Sequence, residues 1–281
     1  MLLESEPVIA SGSRRTAGRG ALSVERVAGE SAAVAAEAHS PLKILVPRPR
    51  GQSVWSYVSN FGGGLLPGDE LDVSIKIGPT SRCFVGTQSS TKIFRSGGKG
   101  VVKNNLHADI GPSGLFVYAP DVAQGFADSR YHQQQTIRLA DESASLVFLD
   151  WYSSGRCARG ERWAFSEYKN RTEIFVGDRL SFLDSIHLET PFIERMARAN
   201  CLATIVILGA EVHAHAQSIH NEISRAPISK RADVLLIASS LKNGAVIRAA
   251  GISVESVAHE IFPRLQFIAP LLGDNPFHRK W

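Results

Sequence analysis

The amino-acid sequence predicts a mainly β protein of stacked β-sheets, in β-helix-like layers, with about two α-helices toward the C-terminus. Three observations lead there. From Val54 to about Ile186 nearly every segment reads as strand or turn. Within that stretch one short pattern recurs at intervals of roughly thirty residues. After Cys201 the chain changes to long apolar runs and good helix formers.

The strand segments are VWSYV, LDVSIKI, RCFVGT, KIFRS, LFVYA, YHQQQTIRL, SLVFLDWY, RTEIFVG and RLSFLDSIHL, each bounded by Gly, Pro, Asp or Asn. In LDVSIKI the residues Leu71, Val73, Ile75 and Ile77 alternate with Asp72, Ser74 and Lys76, the period of a half-buried strand. The recurring pattern is IGPTSRCFVGTQ from Ile77, IGPSGLFVYAPD from Ile110 and a looser LADESASLVFLD from Leu139. Each copy is a strand end, a tight turn and an apolar strand. Such spacing predicts β-layers that stack, each covering the apolar face its neighbour exposes. The competing account is chance recurrence of a common Gly-Pro-x-Ser turn.

Residues 1–19 read as a flexible, small, polar and basic N-terminal tail, and 20–281 as a single domain in which order starts near Ala21. SPLKILVPRPR (40–50) reads as a short strand closed by prolines. CLATIVILG (201–209) is a continuous apolar strand, and AEVHAHAQSIHNEISRA is a helix that Pro227 stops. VLLIASS and AVIRAAG form a strand pair across Lys242-Asn243-Gly244, where Asn-Gly supplies positive φ. Residues 253–268 read as a second helix, with Ser253 and Ser256 near its start and Pro263 ending or kinking it.

Of the 281 residues, 44% are hydrophobic and 21% charged, enough apolar material for a sizeable core. The net charge of +4 is dispersed, without the basic stripe of a nucleic-acid binder. The sequence has no run approaching the roughly 18 apolar residues that span a membrane. Acids in MLLESEPVIA argue against a targeting peptide. Cys83, Cys157 and Cys201 are odd in number and far apart, as a reducing compartment permits, and the cytosol is the default.

SNFGGGLLPGDELDV (59–73) invites a phosphate-loop reading, since glycines let backbone N–H groups approach an anion. Such a loop ends in Lys-Ser/Thr and opens a helix; here a strand comes next. The expectation is a tight positive-φ turn at Gly62–Gly64 and Gly68-Asp69. No G-x-S-x-G elbow or Cys/His pair is seen, so no catalytic residue is assigned. His213, His215 and His220 are either three residues of a solvent-facing helix or ligands of a metal site, but they lack an i, i+4 pair. Asp121, Asp150 and Glu161 follow apolar strand residues in YAPD, VFLD and CARGE. Buried carboxylates need a partner. Either these reach solvent or an Arg such as Arg156, Arg159 or Arg162, or they face an internal water-filled passage where divalent cations associate transiently. TQSSTKIFRS (87–96) is an amphipathic strand or a surface that meets a partner.

Taken in order, several segments resemble the urease accessory protein UreD (UreH) family. PLKILVP (41–47) looks like that family's early strand, SNFGGGLLPGD (59–69) is similar to its Gly-rich segment, and TQSSTKIFRS matches its Thr-Gln/Thr-Lys segment. APDVAQGFADSRYHQQQTIRL (119–139) and GRCARGERW (155–163) fit the family's succeeding segments, and the likeness returns at HRKW. Phe61 stands where many relatives have Pro, and Phe94 where many have Tyr. The resemblance implies stacked β-sheets with two helices and no enzyme activity. It further implies a maturation factor that binds a UreF-like accessory protein and, through it, a UreG-like GTPase, and that docks on apo-urease. Nickel would be in transit to the urease active site rather than tightly bound, and a passage through the protein would be where Asp121, Asp150 and Glu161 act. The alternative is a stand-alone nickel-binding metallochaperone using His213, His215 and His220.

Overall fold

The three echoing segments lie on top of one another. Ile77 pairs with Ile110, and Ile110 with Leu139, at the ends of three parallel strands. After each turn, Arg82 pairs with Leu115 and Leu115 with Ser145 in a second sheet. Every copy therefore carries the chain from one sheet to the other at the same level, so like residues meet like. The recurrence is a solenoid repeat and not a chance turn.

This computed structural model describes residues 17–48, 51–189, 193–229 and 231–279, the side chains of 278 and 279 excepted. Most of the expected tail (1–19) lies outside them, as do Lys280 and Trp281 of HRKW. The elements run β1 (Gly18–Val27), β2 (Glu30–Ala38), β3 (Leu42–Leu45), β4 (Val54–Asn60), β5 (Glu70–Ile77), β6 (Arg82–Thr87), β7 (Thr91–Ile93), β8 (Val102–Ile110), β9 (Leu115–Tyr118), β10 (Ala123–Gly125), β11 (Arg130–Leu139) and β12 (Ser145–Ser153). They continue with β13 (Glu167–Val176), β14 (Arg179–Glu189), β15 (Cys201–Gly209), α1 (His213–Arg225), β16 (Val234–Leu241), β17 (Gly244–Gly251), α2 (Val254–Arg264) and the short α3 (Ile268–Leu272).

One sheet has seven strands in the order β14-β13-β11-β8-β5-β1-β2. The second runs β16-β17-β15-β12-β9-β6-β4-β3, with β7 and β10 forming a short side branch against β12. Strands β5, β8, β11 and β13 are parallel, as are β4, β6, β9 and β12. The hairpin partner β14 closes one end of the first sheet, and β16 ends the second. Among the described strands neither has a further neighbour, and Leu235 and Ile237 on β16 are 45% and 54% exposed.

Two cores result. One fills the space between the sheets and includes Val73, Ile75, Phe116, Phe148 and Ile174; the other lies between the second sheet and the helices, around Trp55, Leu149, Ile205, Ile219 and Ile261. Strand β12 is buried along its whole length because it serves both. Its Leu146, Phe148 and Tyr152 face the first core, while Val147, Leu149 and Trp151 face the second. Each such side chain contributes about 1.5–3 kcal/mol of burial.

Local chemistry accounts for the element ends. α1 stops at Ala226, which is extended (φ −70, ψ 133) because the ring of Pro227 disfavours a helical residue before it. α2 opens with a reciprocal capping box: Ser256 N–H donates to Ser253 Oγ at 3.0 Å and Ser253 N–H to Ser256 Oγ at 3.1 Å. Pro263 lies in the last turn, and the helix ends one residue later. In the β16–β17 loop it is Asn243, at φ 64, that takes the left-handed conformation. Strands β1 and β2 are absent from the segments read as strands. The run SAAVAAEA of β2 is alanine-rich, and pairing to β1 overrides its weak local strand preference.

The glycine segment is a turn. Gly62, Gly63 and Gly68 have φ of 87, 70 and 84. Gly64 is needed for a different reason: a Cβ there would sit 2.4 Å from Phe94 Cε2 and 2.9 Å from the Lys92 carbonyl oxygen. The segment pairs with β7, since Leu65 N–H donates to Lys92 O at 2.7 Å and Phe94 N–H to Leu65 O at 2.9 Å. Asp69 Oδ2 accepts from Leu66 N–H at 2.7 Å, and β5 starts at the next residue. Among the described residues no helix is long and apolar enough to cross a membrane.

Candidate functional site

Polar residues occupy inward positions where the strand period calls for apolar ones. On β11 the inward set is Tyr131, Gln133, Gln135, Ile137 and Leu139; on β13 it is Tyr168, Asn170, Thr172 and Ile174. Register turns these into rows across the sheet. Gln133 pairs with Asn104 on one side and Asn170 on the other. Gln135 pairs with Thr172, and Thr172 with Asp184. The opposite sheet supplies a third row, Asp150, Thr204 and Arg248. Because pairing runs perpendicular to the strands, all three rows follow the stacking direction of the solenoid.

Asp150 is the point where the sheets meet. Gln133 Nε2 donates to its Oδ1 at 3.0 Å, while Gln135 Nε2 and Asn170 Nδ2 donate to its Oδ2 at 3.2 and 2.8 Å. Its side-chain partners are thus three amides. Burial pushes the carboxyl up to about 6; the amide hydrogen bonds oppose that rise and the charge of Asp184 adds to it. The network continues both ways. Tyr131 OH donates to Gln133 Oε1 at 2.6 Å and accepts from Asn104 Nδ2 at 2.9 Å. Beyond Asp150, Asp184 accepts from Arg248 Nη2 at 2.9 Å and from Thr204 Oγ1 at 3.4 Å.

A cavity of about 70 Å³ opens beside this network, lined among others by Thr87, Asn104, Tyr118, Asp121, Gln133 and Asp150. That volume holds several waters. Thr87, Ser89, Ser90 and Asp121 also line an open groove on the outside, together with Leu45 and Tyr57. Asp121 is held at this mouth by Thr87, whose Oγ1 donates to Asp121 Oδ2 at 3.0 Å and accepts from Asp121 N–H at 2.7 Å. Asp121 and Asp150 thus come to one cavity, at its outer and inner ends.

Glu161 stands elsewhere. Arg156 grips it through Nε at 2.9 Å and through Nη2, and Ala127 N–H donates to it at 3.0 Å. The Arg156 guanidinium holds its carboxyl below the usual range. His213, His215 and His220 lie along α1; His215 stacks on Phe267 at 4.4 Å, and His220 is 3.5 Å from Ser224 Oγ. Among the described residues the group of ligand-type side chains within 4.8 Å of one another is Glu167, His187 and Glu189, and the α1 histidines form none. The residues that sequence reading passed over are Gln133, Gln135, Asn170, Thr172, Asp184 and Arg248. Their signal was phase: Gln133 and Gln135 share the parity of Ile137, and Asn170 and Thr172 that of Ile174.

The profile of the UreD urease accessory protein family matches residues 16–281. The chain belongs to the UreD family. A urease accessory protein UreD of Sorangium cellulosum is 44% identical over 94% of this chain and 85% of its own length. The UreD of an Anaeromyxobacter species is 38% identical over 94% and 89%, and urease accessory protein D of Arabidopsis thaliana 32% identical over 92% and 99%. The similarity therefore spans both sheets and the C-terminal helices of this UreD-family chain, so the polar rows lie within the matched fold.

Proposed function

We propose that this UreD-family chain serves urease maturation as a non-enzymatic scaffold. It binds a UreF-like accessory protein and, through it, a UreG-like GTPase, docks on apo-urease, and passes nickel between its sheets toward the urease active site. The observation that carries this reading is the buried Asp150 carboxylate, surrounded by three amides and joined by a cavity to Asp121 at an outer groove.

The chemistry suits passage. Carboxylate, amide and hydroxyl oxygens hold a borderline divalent cation weakly and exchange it, whereas thiolates and imidazoles retain it. Burial pushes the thiols of Cys83 and Cys201 up, the latter to about 12, so neither is a thiolate at neutral pH. Asp150 is ionised at pH 7 and supplies the negative charge that draws a cation inward. When a cation arrives, Gln133, Gln135 and Asn170 no longer need to donate to the carboxylate and can turn their carbonyl oxygens toward the ion. Asp184 is the next carboxylate along the stack, with Arg248 bound to it as the cation that an arriving ion must displace. Asp121 acts at the mouth; Glu161, paired with Arg156, shapes the adjoining loop.

The test is made in cells carrying a urease operon that contains this gene. Deleting it leaves urease without nickel, and the protein co-purifies with a UreF-like partner. Asp150→Asn keeps the fold and the co-purification but lowers nickel loading. Normal nickel-loaded urease in the deletion strain overturns the scaffold reading; full loading by a combined Asp121→Asn and Asp150→Asn variant overturns the passage.

A further inference from the structure

On the outer face of the seven-stranded sheet, two in-register rows cross β11, β13 and β14. One is His132, Lys169 and His187; the other is Arg130, Glu167 and Glu189. Glu167 sits at the centre with its side chain 8% exposed. Its Oε2 lies 2.8 Å from Arg130 Nη2 and 3.1 Å from His132 Nε2. Its Oε1 lies 2.5 Å from Lys169 Nζ and 3.4 Å from His187 Nε2, and His187 Nε2 is 2.8 Å from Glu189 Oε1. The cluster borders an open groove lined by His132, Lys169 and His187 among others.

We propose that Glu167, His187 and Glu189, with His132 beside them, form a surface site for a first-row divalent transition metal. Three features support it. The ligand atoms of Glu167, His187 and Glu189 already lie within 4.8 Å of one another. Bonds of about 2.0–2.2 Å to such an ion place neighbouring N and O donors about 2.8–3.4 Å apart, the spacing seen around His187 Nε2. His132 Nε2, shielded from solvent, stands 3.1 Å from Glu167 Oε2, so a second imidazole lies against the central carboxylate on the protected side of the cluster.

One imidazole and two carboxylates, with a second imidazole beside the central carboxylate, form a mixed N/O set that nickel, zinc and cobalt accept, while calcium and magnesium prefer oxygen alone. Lys169 is the competitor. Its ammonium occupies Glu167 Oε1, and its side chain is 43% exposed, so it can swing into solvent when an ion takes its place. The site lies outside the sheet and does not use the inner rows. It gives the protein a place to hold a metal that is distinct from the oxygen-lined interior.

The experiment titrates the purified full-length chain with Ni²⁺ by calorimetry and with Co²⁺ by its visible ligand-field absorption. His187→Ala and Glu189→Gln weaken binding by about tenfold or more, and thermal melts confirm that both variants fold. Lys169→Met tightens binding, a change of sign that a purely structural role of this ion pair does not produce. Wild-type affinity in both His187→Ala and Glu189→Gln overturns the site, as does weaker binding in Lys169→Met. Because urease loading by Asp150→Asn reports on the interior alone, failure of one reading leaves the other standing.

Discussion

Gln133 on one sheet reaches across the core to Asp150 on the other, Nε2 to Oδ1 at 3.0 Å. The contact ties the layers together through a group that solvation would rather keep in water. Replacing it with two apolar residues would build a drier and more cohesive interior.

The first prediction concerns that cost. The folded pKa of Asp150 is about 6 against an ordinary 3.8. Between those values the native state binds more protons than the unfolded chain. This group's contribution therefore falls as pH rises through the window and is level above it. Asp150→Asn removes the slope. Denaturant titrations at several pH values should show the variant gaining on the wild type from about pH 4 to 6, by an amount on the order of 3 kcal/mol at neutral pH, while nickel loading of urease drops.

A second prediction uses the same titration. A protonated carboxyl is a poor cation ligand, so nickel transfer supported by the wild-type chain should weaken as pH falls through about 6, the value for Asp150. Metal content of urease matured in vitro at pH 5.5 and 7.5 measures this; equal loading at both would remove Asp150 from the route.

Gly64→Ala should destabilise the fold by about 1–3 kcal/mol, because the new methyl group meets Phe94 and the Lys92 carbonyl. Gly62→Ala faces open space and pays only for its φ of 87, about 1 kcal/mol or somewhat more. Urea midpoints of the two variants rank these costs.

Ser253→Ala removes the Oγ that accepts from Ser256 N–H and leaves the backbone half of the α2 cap in place, and should cost about 1 kcal/mol. The helix packs Val257 and Ile261 onto the second core, so the loss appears in the global unfolding midpoint and not only as fraying.

Glu161→Gln should lower stability at neutral pH by weakening the hold on Arg156 and on the Ala127 amide. The folded carboxyl titrates below its ordinary value, so this contribution is present above the unfolded pKa and is lost as pH falls through the folded one. The gap between variant and wild type should therefore close in acid.

Much of the architecture was legible in advance, for a definite reason. Period-two patterns such as Leu71-Val73-Ile75-Ile77 report burial on one face directly, and the echo from Ile77, Ile110 and Leu139 reports stacking. The β1–β2 hairpin escaped because its alanines carry almost no side-chain preference, leaving the decision to pairing with β5. The site was half visible. Asp150 stood out as an acid in an apolar strand, but its partners Gln133, Gln135 and Asn170 lie in ordinary-looking polar strands whose inward phase emerges only once register is known. Glu161 and Asp150 look alike in sequence. What separates them is their company: Arg156 grips one carboxylate, while three neutral amides surround the other.

At one end of the stack, β16 has no further neighbour among the described strands. Strand β16, VLLIASSL, has neither the charge nor the proline that usually blunts such a margin, and β14 ends the facing sheet beside it. An unfinished course of this kind is adhesive toward any extended segment of matching length. Kept alone at high concentration, the molecule should seek its own kind, and the yield of dispersed protein measures that tendency.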